Sequence, residues 1–131
     1  MTAKELEEKY GLSAEVIDAR TMVPFNYEPV IESVKKTGKI LLAGDAVARG
    51  SFMNTLAQNI SELAFDYLDA PPIIVGSRNW ISPAAEFEQY YFPQVHTFLD
   101  AISEKIMPLK GYVCQDDFSS ATKIKREKLG V

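Results

Sequence analysis

Residues 44–51 carry the types and spacing of a small binding loop. They join the carboxyl end of one predicted strand to the start of a predicted helix, where open α/β sheets bind ligands and backbone N–H groups attract anions. The polar and flexible positions in this loop are Asp45, Arg49, Gly50 and Ser51. The loop is neither a dinucleotide fingerprint nor a Walker loop, so a packing loop whose Gly50 passes close to a neighbour is the alternative. The pattern therefore predicts an anion site or an interface loop and leaves both open.

A second segment, Arg78 with Asn79 and Trp80, follows the next predicted strand at the same carboxyl edge of the sheet. An exposed indole beside arginine is a composition that protein interfaces favour, whereas a Trp80 folded back over the core is the alternative. We expect the two segments to lie together and to be used for association, with Phe52 as a further interface residue. Aromatic residues at the next helix are expected in its core and rim: Phe87, Tyr90, Tyr91 and Phe92.

Residues suited to catalysis are scarce in this chain. His96 is the only histidine and Cys114 the only cysteine, so a zinc site or a Ser-His-Asp triad lacks partners. We expect His96 at the rim of the last helix and Cys114 as an unreactive thiol, because no cation is adjacent in sequence. The sequence predicts no catalytic, cofactor-binding or metal-binding residue here.

The composition is that of a globular protein with one ordinary core. The chain has 131 residues, is 47% hydrophobic and carries a net charge of −4, which gives no sign of nucleic-acid binding. No apolar run approaches the ~18 residues of a membrane span, and no signal peptide is evident. A single cysteine agrees with a reducing compartment. We expect a soluble, cytoplasmic protein.

Hydrophobic spacing predicts helices that alternate with short apolar strands. Asn26 is the predicted N-cap of the second helix and Gly38 its end, and Ser82 with Pro83 opens the fourth helix. The predicted helices cover residues 3–10, 27–37, 52–68, 82–91 and 94–106, and the predicted strands cover residues 15–19, 40–43 and 73–75. This alternation predicts an α/β fold of three layers, with a mostly parallel sheet between helices.

The character of the chain changes at Pro108. Residues 108–131 have little periodicity and hold five Lys/Arg and three Asp/Glu, so they carry +2 while residues 1–107 carry −6. We predict one domain over residues 1–107 and an irregular C-terminal extension over residues 108–131. The extension is either a solvated tail or a docking arm over a neighbouring subunit.

Several motifs occur in fixed order along these elements. The first strand ends in Asp18, Arg20 and Thr21 as DxRT, Pro24 makes a turn, and the helix ends as SVKKTG at residues 33–38. Gly50 and Phe52 follow, and then AFDYLDAP at residues 64–71. In these positions, up to about residue 106, the chain resembles the C-terminal, transketolase-like domain of the beta subunit of thiamine-dependent 2-oxo-acid dehydrogenases. It departs from that pattern at residues 44, 45, 51, 53 and 55.

The resemblance implies a role in an oxidoreductase. Such an enzyme oxidatively decarboxylates pyruvate or a branched-chain 2-oxo acid on thiamine diphosphate with Mg²⁺, and it passes the acyl group to a lipoyl-bearing acyltransferase. The cofactor and metal lie between other domains, so the isolated chain is expected to be inactive and to bind neither. The implied partners are other domains or subunits of the dehydrogenase and the acyltransferase. The alternative is a stand-alone flavodoxin-like module that binds an anion or a protein without catalysis.

The resemblance also implies that the first strand of the sheet is lacking. That strand lies between residues 15–19 and residues 39–43 in the similar domains, so its loss exposes two strand edges. Unpaired backbone groups cost about 1 to 3 kcal/mol each when buried without a partner. We therefore expect the sheet to be completed by a neighbouring chain, by residues after 108, or by direct pairing of the two strands.

Overall fold

The structure, a computed structural model, describes residues 2–116 and 120–129. In chain order its elements are α1 (Thr2–Tyr10), α2 (Glu28–Thr37), β1 (Leu41–Val47), α3 (Phe52–Leu63), β2 (Ile73–Ser77), α4 (Glu88–Tyr91), α5 (Val95–Lys105) and α6 (Ser120–Lys128). Single 3₁₀ turns cover Phe65–Tyr67 and Ala85–Phe87. No helix among the described residues is long and apolar enough to cross a membrane.

The strands β1 and β2 form a two-stranded parallel sheet, which confirms the α/β class and the parallel topology. Leu41 pairs with Ile73, and the register shifts once before Val47 pairs with Ser77. Helix α3 contacts both strands and α5 contacts β2. A parallel pair places both strand ends at one edge of the sheet, and this shared end is called the carboxyl edge below.

Two apolar clusters hold the helices in place. The first joins α2, α3 and the residue after α3, and its buried members are Val30, Val34, Leu56, Ile60 and Ala64, with Ile40 and Leu42 packed against them. The second joins α1 and α5 to the segment after Pro108, and its buried members are Leu6, Leu99 and Leu109. The first cluster follows the predicted helical spacing of apolar residues, since its buried positions recur every four residues in α2 and from α3 to Ala64.

The segment after Pro108 differs from the irregular extension that we expected. Leu109 is buried between α1 and α5, and residues 120–128 form the helix α6. Burial of the Leu109 side chain stabilises the folded state, and this free energy favours an ordered segment over a solvated tail. The division into domains at residue 107 stays a prediction.

The predicted strand over residues 15–19 is absent from the structure, and this prediction was wrong. Val16 and Ile17 are 78% and 44% exposed, and this segment pairs with no strand. A strand is stable only when a neighbour satisfies its backbone groups, and β1 has no second neighbour in the described part of the chain. Direct pairing of the two segments is therefore excluded, and residues 109–116 and 120–129 add no strand either. Completion by a neighbouring chain stays a prediction.

Helix ends were predicted with mixed success. Gly38 ends α2 as expected, with a φ of 69° and its N–H donating to Val34 O at 2.8 Å. Asn26 lies one residue before the actual N-cap, Tyr27, although its Oδ1 accepts the Glu28 N–H at 3.1 Å. The prediction misplaced the start because Asn26 makes a local turn ahead of the helix rather than the cap itself.

Other boundaries were also wrong, including the end of β2, which is Ser77 and not the predicted residue 75. The strand β1 continues to Val47, four residues beyond the predicted end, because its pairing with β2 resumes after the register shift. Helix α3 stops at Leu63 because Ala64 leaves the helical region with φ −125° while it stays buried in the first cluster. The helix expected over residues 82–91 is only a 3₁₀ turn and α4, since Ala84 is extended with ψ 161°.

Gly76 is the position where β1 and β2 approach too closely for a side chain. A Cβ added there would lie 2.5 Å from Ala46 O and 2.9 Å from Ala48 N, whereas at Gly44 it would meet the flexible Met53 side chain, with Sδ at 3.2 Å. We expect Gly76→Ala to lower the free energy of unfolding by about 3 kcal/mol and Gly44→Ala by less than about 1 kcal/mol. Urea denaturation followed by circular dichroism measures both, and equal losses would contradict the close approach.

Candidate functional site

The two segments singled out in the sequence meet at the carboxyl edge of the sheet. Val47 pairs with Ser77, and the Ala48 N–H donates to Ser77 O at 3.1 Å. The loop that begins at Ala48 and the segment that begins at Arg78 are therefore neighbours, as the parallel topology predicted. Their use in association stays a prediction.

Part of the predicted loop belongs to the strand. Asp45 lies inside β1, where its side chain is exposed and its C=O accepts the Ser77 hydroxyl at 2.6 Å. Ser77 is only 1% exposed, so its hydroxyl satisfies a backbone carbonyl at the register shift. The remaining loop, residues 48–51, is shorter than expected because β1 pairs further than its apolar residues indicated.

Asn54 holds the shortened loop in place and was not identified from the sequence. Its Nδ2 donates to Ala48 O at 2.9 Å and to both the backbone and side-chain oxygens of Ser51 at 3.3 Å. An asparagine three residues after a serine at a helix start was the available signal, since both side chains favour helix N-termini.

Gly50 and Arg49 then set what the loop can bind. Gly50 has a φ of 70°, and no atom lies within 4 Å of the position of a Cβ, so it serves the backbone conformation and not a close neighbour. Arg49 is exposed and forms no ion pair with a described residue. This loop presents one arginine to an anion, and the anion site remains a prediction.

The side chain of Arg78 is held by three groups at the same edge. Its Nη2 donates to Asp116 Oδ2 at 2.9 Å and its Nε donates to Tyr90 O at 2.9 Å. Its guanidinium carbon lies 5.1 Å from the ring centroid of Trp80, which is within cation–π range. Trp80 is 50% exposed, so the alternative in which it folds back over the core is wrong.

These residues form one wall of an aromatic cleft. Its volume is about 610 Å³, and its lining residues are Arg78, Trp80, Pro83, Phe87 and Tyr90. Phe87 and Tyr90 are each 59% exposed, which is more than the core and rim positions expected for them. They face water because the helix that would have carried them inward is only one turn long. We call this set the aromatic cleft.

Other predicted site residues lie elsewhere. Phe52 is half-buried and packs against the first apolar cluster, so most of its surface already has a partner within the chain. His96 lies half-buried on α5, and its backbone oxygen accepts the Tyr112 hydroxyl at 3.3 Å. Among the described residues no group of three or more His, Cys, Asp or Glu side chains is placed to hold a metal ion.

A buried carboxylate, Asp100, was also missed by the sequence reasoning. It is 0% exposed on α5 and accepts the Tyr112 hydroxyl at 2.7 Å and the N–H groups of Gln115 and Asp116 at 3.0 and 2.8 Å. Burial first, and then the hydrogen bond and charge of Asp100, raise the pKa of the Tyr112 hydroxyl. The available signal was an aspartate inside the apolar stripe of α5, since an unpaired charge is rarely buried.

Comparison with known proteins identifies similar sequences. Residues 1–97 match the family described as Transketolase, C-terminal domain. The chain is 38% identical over 101 residues to pyruvate dehydrogenase E1 component subunit beta of Rhizobium meliloti (strain 1021), which covers 76% of the chain and 22% of that protein.

Two further relatives come from eukaryotes. Pyruvate dehydrogenase E1 component subunit beta, mitochondrial, of Saccharomyces cerevisiae is 38% identical over 104 residues, 78% of the chain and 28% of that protein. The 2-oxoisovalerate dehydrogenase subunit beta, mitochondrial, of Dictyostelium discoideum is 39% identical over 87 residues, 66% of the chain and 23% of that protein. The chain thus spans about a quarter of the length of these relatives.

The half-buried Cys114 offers a test of the local packing. Burial raises the pKa of this thiol, while a hydrogen bond with Ser103 acts in the opposite direction. Because the thiolate is the reactive form, we expect iodoacetamide to alkylate the folded chain more slowly at pH 7.5 than the same chain in urea. The alkylation rate of the folded chain should increase only at a pH above the usual pKa range of a thiol. A folded rate equal to the unfolded rate would contradict the burial.

Proposed function

This chain belongs to the transketolase C-terminal domain family, and we propose that it serves as the C-terminal assembly domain of a 2-oxo-acid dehydrogenase beta subunit. The relatives described above are beta subunits of pyruvate and 2-oxoisovalerate dehydrogenases. Because the chain spans about a quarter of those proteins, the activity belongs to the complete enzyme and the chain contributes a part of it.

The observation that carries an assembly role is the exposed aromatic cleft at the carboxyl edge. Trp80, Phe87 and Tyr90 are each at least 50% exposed, and the neighbouring Ile81 is 94% exposed. Soluble monomers rarely expose apolar patches of this kind unless a partner covers them, and tryptophan, tyrosine and arginine are the residues that dominate binding energy at interfaces. An apolar face of another subunit is the partner that such a surface fits.

The complete enzyme, in this proposal, oxidatively decarboxylates pyruvate or a branched-chain 2-oxo acid with thiamine diphosphate and Mg²⁺. It then transfers the acyl group to a lipoyl-bearing acyltransferase, which is a further proposed partner. Relatives of both substrate classes match the chain, so the proposal covers both. A cytoplasmic location stays a prediction, since two of the relatives are named as mitochondrial.

In this proposal thiamine diphosphate does not bind to this chain. Mg²⁺ takes oxygen ligands, and among the described residues no group of three or more His, Cys, Asp or Glu side chains is placed to hold a metal ion. At the carboxyl edge the Arg78 guanidinium is already paired with Asp116, and Arg49 and Arg126 are exposed arginines that line the same surface. The short share of the relatives that the chain spans instead favours a thiamine diphosphate site in other domains of the enzyme, so we assign no catalytic residue to this chain and derive no reaction step through the cofactor.

The aromatic cleft gives the first test of the assembly role. Trp80→Ala removes the central indole, and truncation of a buried interface tryptophan costs about 2 kcal/mol, or roughly a 30-fold increase in the dissociation constant. We expect light scattering coupled to size-exclusion chromatography to detect association of the chain and its loss in this variant. Phe65→Ala is the control, because Phe65 is 77% exposed in the turn after α3. Equal association of both variants would contradict the proposed surface.

Calorimetry tests the placement of the cofactor. We expect titration of the chain with thiamine diphosphate and Mg²⁺ to show no binding in the micromolar range, because the proposal assigns the cofactor to other domains of the enzyme. A second titration uses inorganic pyrophosphate without metal and compares its binding to the chain and to Arg49→Ala. Weaker binding to the variant would indicate simple anion binding at residues 48–51, as distinct from cofactor binding. A micromolar dissociation constant for thiamine diphosphate with the isolated chain would place the cofactor here and refute the proposal.

A further inference from the structure

Asp100 anchors a segment that lies outside the part of the chain matched by the family. Its carboxylate is 0% exposed, and three of its hydrogen bonds come from Tyr112, Gln115 and Asp116. A buried carboxylate is costly unless it is hydrogen-bonded, and bonds to a charged acceptor are among the stronger ones. The family match ends at residue 97, so Asp100 and its three hydrogen-bond partners lie outside the matched residues.

The segment bound by Asp100 is also fixed at its beginning. Leu109 is 4% exposed against Leu6 and Leu99, and its N–H donates to Ser103 Oγ at 3.2 Å. The Tyr112 ring meets the Tyr10 ring edge-on at 6.3 Å between centroids. Residues 109–116 thus cross from the second apolar cluster to the carboxyl edge with both ends held, and we call them the strap.

The end of the strap reaches the aromatic cleft. The Asp116 N–H bound to Asp100 brings the Asp116 carboxylate to 2.9 Å from Nη2 of Arg78. Arg78 in turn lies over Trp80. An arginine side chain has many rotamers, and without Asp116 the Arg78 guanidinium keeps the Tyr90 carbonyl as its hydrogen-bond acceptor within the described part of the chain. The position of the guanidinium on the indole therefore depends on the strap.

We propose that Asp100 is a positioning residue for the aromatic cleft, which acts by holding the strap so that Asp116 fixes Arg78 against Trp80. The contacts carry this inference by themselves, and only the use of the cleft in association rests on the proposed function. The partner that the fixed cleft fits is an apolar face of another subunit. Loss of the strap would leave the aromatic side chains present but the arginine wall of the cleft disordered.

Trp80 is the only tryptophan, so its fluorescence reports on the cleft directly. Because Trp80 is 50% exposed, loss of the Arg78 contact can raise its acrylamide quenching constant by at most about two-fold. We expect Asp116→Asn to approach that rise with an unchanged melting temperature, since a partly exposed ion pair adds little stability. Asp116→Glu keeps the carboxylate and should restore the original quenching. Asp69→Asn, which removes the partner of Lys39 at 3.0 Å, is the remote control and should change nothing.

A double variant tests whether Asp100 acts through Asp116. Asp100→Asn should raise the quenching constant as Asp116→Asn does, and the double variant should show no further rise, because both changes break one series of contacts. Additive rises, or no rise in Asp116→Asn, would overturn the proposal. Light scattering on the same variants keeps the two proposals apart. If Asp116→Asn raises the quenching constant but neither the original chain nor any variant associates, the strap is supported and the association surface is refuted. If Trp80→Ala abolishes association but Asp116→Asn leaves the quenching constant unchanged, the strap is refuted.

Discussion

The parallel pairing of β1 with β2 is the constraint on which the rest of the structure depends. The Ile73 N–H donates to Ile40 O at 3.1 Å at one end, and the Ala48 N–H donates to Ser77 O at 3.1 Å at the other. Gly76 lets the two backbones approach at the register shift. Because both strands point the same way, every segment that leaves them arrives at one edge. The short loop, Arg78 and the aromatic cleft all owe their proximity to this pairing.

The features predictable from sequence were those whose physics is local. The apolar spacing of α2 and the glycine at its end act within a few residues, so both its existence and its end at Gly38 are confirmed. The strand around Val16 and Ile17 failed because a strand requires a partner that periodicity cannot supply. Apolar residues of the right type were present, but no neighbour in the described chain satisfies their backbone.

The candidate site divides in the same way. The parallel topology predicted that the segments after β1 and β2 lie together. The residue types predicted an exposed Trp80 beside Arg78. The contacts that fix Arg78 could not be predicted, since Asp116 lies 38 residues away and is itself held by Asp100, 16 residues earlier. Long-range hydrogen bonds to a buried carboxylate leave only a weak trace in sequence, namely an acidic residue where a helical stripe should be apolar.

Hydroxyl-radical footprinting of the associated chain tests the assembly role most directly. The chain is oxidised at a dilute concentration and at one where light scattering detects association, and the modified side chains are quantified by mass spectrometry. The account predicts that oxidation of Trp80, Phe87 and Tyr90 falls on association, while Phe65 and Tyr67, exposed near the end of α3, react equally in both samples. Equal oxidation of the aromatic cleft in the two samples, or protection of Phe65 and Tyr67 instead, would contradict it.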